Sequence, residues 1–243
     1  MKQTHMPDRR VEAQHRVNNA LDRVTSALGI TKVDYPRVEY KRGTGDLTYI
    51  YANRTVVMRD IEEQGHSEQL QRIFEMHEAV HHVRAVKNGY TKLPNGSIGK
   101  IHEDAIATLI PALVLGQGKD DIVIELVREL GTIHGFIESP ETHLQDEVLA
   151  RVGYAFGYTT AFAVSDLSQA DKLELAKKMI LIPNEAIGDA MQGIIDSNPN
   201  AARLDKEVAD PIMGRLVEVL DALQNGREPK KYEPPEFIRI LRE

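Results

Sequence analysis

The heptapeptide Met76-His77-Glu78-Ala79-Val80-His81-His82 constrains this chain more than any other stretch. Two histidines four residues apart become neighbours on an α-helix, where such positions lie about 5–6 Å apart at Cβ. There both imidazoles can point at one cation, with ring nitrogens about 2.0–2.1 Å from it. Glu78 falls to the side of the pair, close enough to reach an attacking water without becoming a ligand. The flanks supply the helix: Ser67 is the expected N-cap and Asn88-Gly89 the stop. Leu70, Ile73, Phe74, His77 and Val80 form an apolar stripe, with His81 and Arg84 on the same rows. An amphipathic helix so patterned turns both histidines toward the interior.

The 243 residues suffice for one sizeable domain, or a domain with an appendage. A net charge of −7 without a long basic run disfavours nucleic acid and anionic membrane surfaces as partners. With no cysteine, disulfides and thiolate ligands are excluded, so a metal site must use histidine and carboxylate. Met1 to Arg10 is polar and lacks the apolar core of a signal peptide. The longest apolar stretch, Ala105 to Leu115, is too short to span a bilayer and contains Pro111. A cytoplasmic protein is the expectation.

Hydropathy patterning before the heptapeptide predicts a helix from Asp8 to Leu28, stopped at Gly29. It then predicts three short strands, around Val38–Tyr40, Leu47–Tyr51 and Thr55–Met58, with a turn at Gly43-Thr44-Gly45-Asp46. After the histidine helix, Pro94-Asn95-Gly96 marks a loop and a buried helix is expected from Ile101, kinked or ended by Pro111. Further helices are expected at Asp120–Leu130 and Leu144–Val164, the latter loosened by Gly153 and Gly157, with His134–His143 irregular between them. Beyond Asp166 the helical segments Ser168–Ile180, Pro183–Ile195 and Leu204–Leu223, broken near Pro211, are more polar, and an extended tail follows Gly226. The fold class is α+β: a small N-terminal sheet, then a mostly helical body carrying the histidine helix. The expected division is residues 1–165 as a catalytic unit and 166–243 as a helical extension packed on it, possibly as one continuous domain.

Two histidines need a third protein ligand to make a catalytic zinc site. His102, Glu103, Asp104, His134, His143, Asp146 and Glu147 are the candidates. An antiparallel return of the next helix brings its first turn level with His81, and Glu103 there shares a face with Ala107, Ile110 and Val114. An inward carboxylate is costly unless a cation compensates it, which ranks Glu103 first. Its competing explanation is service to the helix N-terminus. Glu147 is the main rival, with an ion pair to Arg151 four residues on as its simpler use.

With His77-Glu78-Ala79-Val80-His81 followed after a loop by Glu103, the chain resembles the gluzincin branch of the zincin metallopeptidases. The separation 103 − 81 = 22 is similar to the short spacing of that group, and strands leading into the active helix are zincin-like. Val83, Arg84 and Lys87 do not fit H-E-x-x-H-x-x-G-x-x-H, so the metzincin branch is excluded, and Ala107 stands where thermolysin carries an acid. Glu147-Val148-Leu149-Ala150 resembles the later glutamate helix of other small peptidases. The resemblance covers residues 35 to 160 and implies a zincin-like fold with one Zn2+ held by His77, His81 and Glu103. It implies peptide hydrolysis, with Glu78 as general base and a peptide or protein as substrate. Thr55–Met58 would be the strand that receives it, and Tyr154, Arg151, His134 and His143 are candidate oxyanion donors.

Two other readings compete. One keeps the zincin fold and the metal but drops proteolysis, leaving a regulatory or interaction protein. The other is a helical binding protein whose histidines are structural.

Overall fold

The computed structural model describes residues 6–41, 47–59, 68–92, 96–140 and 145–228. The expected cap Ser67, the turn at 43–46, Pro94-Asn95, His143 and the tail from 229 lie outside them. Helix α1 (Met6–Leu28) precedes strands β1 (Arg37–Tyr40), β2 (Thr48–Ile50) and β3 (Thr55–Met58). Helices α2 (Glu68–Asn88), α3 (Gly96–Leu115), α4 (Lys119–Glu138) and α5 (Gln145–Ala163) follow. The C-terminal part holds α6 (Gln169–Met179), α7 (Asn184–Asp196), α8 (Pro199–Leu204) and α9 (Asp210–Gln224). The fold is α+β, a three-stranded mixed sheet before a mostly helical body.

The sheet order is β1-β3-β2, with β1 parallel and β2 antiparallel to β3. Thr55-Val56-Val57-Met58 is β-branched in three of four positions and buried throughout, as a central strand requires. Both of its edges are paired, so the expectation that Thr55–Met58 receives a substrate strand is corrected. β1 and β2 are the edge strands, and β2 is the one whose Thr48 and Tyr49 lie beside α2 and its histidines.

Helix α2 departs from a simple amphipathic pattern. Every residue from Glu75 to Ala85 is buried, because other elements cover the helix on all sides. Each charged or polar side chain in this run therefore needs its own partner. Gly89, at φ +70°, ends the helix, and Tyr90 N donates to Ala85 O at 2.9 Å, the left-handed stop expected after Asn88.

Helix α3 starts five residues earlier than expected and runs through Pro111 to Leu115. Residues 103–113 are all buried, and the burial of so many apolar side chains outweighs the amide hydrogen bond that Pro111 cannot make. Helix α4 likewise continues through Gly131, since Leu126, Leu130, Ile133 and Ile137 form one unbroken buried face. That burial exceeds the ~1 kcal/mol helix penalty of a glycine. His134 is consequently a buried helical residue beside Glu138 (Nδ1 to Oε2, 3.7 Å), not part of an irregular loop. Pro211 sits in the first turn of α9, where its missing N–H costs nothing, after a π-helical segment over Asp205–Ala209.

One apolar core runs from Ala20 and Val24 through Val83, Ile110 and Phe136 to Met179, Met191, Leu216 and Val219. It crosses the expected division at Asp166. A smaller cluster, including Val17, Tyr49, Val56, Met58 and Ala85, joins the sheet to α1 and α2. No helix among the described residues is long and apolar enough to cross a membrane.

Candidate metal centre

The two histidines of the heptapeptide face one another as their spacing dictates. His77 Nε2 lies 3.0 Å from His81 Nε2. Asp104 enters from α3, its Oδ1 standing 3.3 Å from His81 Nε2 and 3.6 Å from His77 Nε2. Donors about 2.0–2.1 Å from a tetrahedral ion are spaced about 3.3–3.4 Å apart. The three edges of this triangle bracket that value. All three residues are buried, and they form a group able to hold a metal ion.

The charge balance of the group suits a cation. Asp104 is 8% exposed, and its Oδ2 has no hydrogen-bond partner among the described residues. Burial pushes its carboxyl pKa up, and with no ion bound the hydrogen bonds and charge of protonated His77 and His81 outweigh that and hold it below the usual range. A cation would take over that positive charge once the rings are neutral. An ionised buried carboxylate with one vacant oxygen calls for a positive partner.

The far side of each imidazole is also held. Thr108 Oγ1 donates to Asp104 O at 2.8 Å, so its oxygen is left to accept from His77 Nδ1 at 3.5 Å. On a neutral His77 ring that partner suits a proton on Nδ1, which leaves Nε2 as the atom to hold a metal. His81 Nδ1 meets Tyr51 OH at 2.9 Å. Burial, followed by the charges of Glu103 and Asp104, raises the Tyr51 pKa well above its ordinary value, so the phenol stays protonated. Tyr49 lies two residues before Tyr51 and binds His82 Nδ1 at 3.1 Å, while His82 Nε2–H donates to Asp34 O at 2.6 Å. Burial lowers the pKa of His82, in keeping with a neutral ring that bonds the sheet to α2. The adjacent histidines 81 and 82 thus serve separate purposes.

Glu103 stands behind this group. Its oxygens accept from Arg84 Nη2 and Nε at 2.7 and 2.8 Å, and Oε1 accepts from Asn184 Nδ2 at 3.0 Å. Its nearer oxygen is 4.0 Å from His81 Nδ1, on the side of the ring turned away from His77. Burial works to raise the Glu103 pKa, and Arg84 overcomes it to leave a lowered value. The third member of the structural group is therefore Asp104, whereas Glu103 is occupied by Arg84. Arg84 was the available signal in the sequence: a guanidinium on the inward rows of α2 needs a carboxylate of its own.

The group opens on a cleft of about 590 Å³, walled by Glu78, Tyr49, Tyr51, Lys100, Arg151 and Tyr154 among others. Glu147 also borders it but does not join the three donors. No family model, no curated protein and no solved structure matches this chain. The resemblance to gluzincins accordingly rests on the residues themselves.

Around the cleft, the ring of Tyr154 meets His77 edge-on at 5.1 Å, and Arg151 lies over the other part of that ring at 5.5 Å. Arg151 Nη1 binds Glu129 Oε2 at 3.1 Å rather than forming the expected pair with Glu147. His102 faces α7, its Nδ1 3.2 Å from Asn184 O, and takes no part in the group. A groove of about 610 Å³ between α1 and α2 is of similar size, but its buried Glu75 is already satisfied by Arg16 (Nε to Oε1, 2.6 Å). The cleft beside the histidines has the chemistry.

Proposed function

We propose that this protein is a zinc-dependent hydrolase of peptide bonds, with His77, His81 and Asp104 as ligands and Glu78 as general base. The observation that carries the proposal is the convergence of three buried donor atoms at zinc-like spacing, with a carboxylate oxygen of Asp104 left unmatched. Two imidazoles and a carboxylate, without thiolate, are a donor set typical of catalytic zinc. When bound, zinc supplies Lewis-acid polarisation of a carbonyl and acidifies water toward a pKa of about 7.

The remaining chemistry falls to the chain. Glu78 borders the same cleft and is one residue from His77, which suits it to take the proton of the attacking water and return it to the leaving amine. Tyr154, against His77, is the best placed of the expected oxyanion donors, since Arg151 is held by Glu129. An extended peptide would align along the outer edge of β2, whose Thr48 borders the cleft.

A metal-binding module without hydrolysis is the second reading, favoured by the burial of Glu78 at 5% exposure. One experiment separates the two. Glu78→Gln should keep one zinc per chain and lose roughly 10²–10⁴-fold in peptide hydrolysis. Unchanged hydrolysis removes Glu78 from the mechanism, and zinc-loaded wild type that cleaves no peptide in a library leaves the module. Zinc-free wild type from metal-replete expression defeats both.

A further inference from the structure

Aspartate has the shortest acidic side chain, so Asp104 reaches the histidines only if the backbone of α3 lies at the right distance. Helix α5 packs on α3 from another side, and the contact is unusually close at two points. A Cβ added to Gly153 would lie 2.6 Å from Asp104 Cβ and 2.7 Å from Ile101 O. A Cβ added to Gly157 would lie 2.6 Å from Ala105 O and 2.8 Å from Thr108 Cβ. Real Cβ atoms essentially never come within 3.0 Å of such neighbours. Neither glycine has a positive φ, so what each provides is space rather than backbone freedom. Gly131, Gly135, Gly193 and Gly214 are also helical, yet a Cβ there meets nothing within 4 Å.

The two glycines are four residues apart, one above the other on α5. Asp104 and Thr108 have the same spacing on α3, and both approach ring nitrogens of the histidine pair. Asp104 Oδ1 approaches both Nε2 atoms, and Thr108 Oγ1 accepts from His77 Nδ1. Asp104 Oδ1 meets the histidines, and its buried Oδ2 has no hydrogen-bond partner among the described residues, which leaves a carboxylate oxygen for a cation. A Cβ at Gly153 would therefore collide with Asp104, and one at Gly157 with Thr108, the residue that adjoins His77.

We infer that Gly153 and Gly157 are positioning residues of the metal centre: they let α5 seat α3 so that Asp104 completes the ligand set and Thr108 orients His77. The inference rests on the metal reading of the preceding subsection. A methyl at Gly153 must displace Asp104 or the helix that carries it. A methyl at Gly157 must displace the turn that carries Thr108. Misplacement of a ligand or of its orienting partner weakens metal binding even where the fold survives.

The test is zinc affinity, by competition with a chromophoric chelator, together with the visible absorption of the Co2+-substituted protein. Wild type, Gly153→Ala, Gly157→Ala and the control Gly131→Ala are compared, each with its metal-free unfolding midpoint. Gly153→Ala should bind zinc roughly tenfold or more weakly and change the Co2+ spectrum, with Gly157→Ala next and Gly131→Ala like wild type. Wild-type affinity and spectrum in a folded Gly153→Ala protein overturn the inference while leaving the metal reading in place. Failure of both glycine variants to fold even with excess zinc also overturns it, assigning the glycines to packing alone. A wild-type chain that takes up no zinc defeats the metal reading itself, and this inference with it.

Discussion

Glu103 and Asp104 are adjacent acids on one helix, rotated about 100° from one another. That rotation gives them opposite uses. Asp104 turns toward the two Nε2 atoms, and Glu103 turns toward Arg84, whose side chain is wholly buried. Their substitutions should separate accordingly. Asp104→Ala is expected to abolish tight zinc binding, because two imidazoles remain. Glu103→Ala is expected to cost about 3–5 kcal/mol of folding stability, because the Arg84 guanidinium is left buried without its carboxylate. Zinc stoichiometry and denaturant unfolding of the metal-free proteins measure the two effects. Loss of zinc from Glu103→Ala at unchanged stability would transfer the ligand role to Glu103. The histidine pair was legible in the sequence because a four-residue spacing fixes its geometry on any helix. The choice between Glu103 and Asp104 was not, since it depends on how α3 docks against α2. A pattern within one helix carries no information about a rotation between two.

The elements themselves were largely readable where one period dominates: α1, the three strands and the span of α2 lie close to their expected places. The errors lie where burial overrode a local breaker, at Pro111 inside α3 and Gly131 inside α4. Gly153 and Gly157 read as weak points of α5, yet they mark its closest approach to α3. The π-helical segment between α8 and α9 is another local departure, and it carries a testable charge. Burial raises the pKa of Asp205, the hydrogen bond from Gln192 opposes this, and Asp210 and Asp196 add to the rise. A carboxyl whose folded pKa exceeds its unfolded value favours folding below the unfolded pKa and loses that contribution as pH rises through the folded one. At neutral pH the Asp205 charge is therefore a liability. Asp205→Asn, which keeps an oxygen for Gln192, should raise the urea midpoint at neutral pH. The gain should shrink as pH falls through the raised folded pKa toward the unfolded one, where wild type takes up the proton. A gain that does not change with pH would place its origin outside this titration.

At the scale of the molecule, no linker-like composition separates the more polar helices after Asp166 from the rest, and their contacts reach the network behind the candidate site. Arg84 lies three residues after His81 and makes four hydrogen bonds: two to Glu103, one to Ile180 O at 2.9 Å and one to Ile182 O at 3.0 Å. Asn184, at the start of α7, donates to Glu103 and to Gly99 O. The junction of α6 and α7 therefore closes a buried network whose other members adjoin both the histidine helix and the Asp104 helix. Removing residues 166–243 would strip two acceptors from a guanidinium that is 0% exposed and uncover the faces of α3, α4 and α5 beneath Met179, Met191 and Leu216. Arg84 would keep Glu103 but lose two charge-assisted hydrogen bonds, and with a large apolar face uncovered the loss is several kcal/mol, comparable with the whole stability of a domain, about 5–15 kcal/mol. A chain ending at Ser165 should therefore fail to reach a compact zinc-binding state, as followed by cooperative thermal unfolding and by zinc uptake. A truncated chain that unfolds cooperatively and holds one zinc would show that residues 1–165 suffice for the centre. It would also show that the Arg84 network serves the C-terminal helices rather than the metal group.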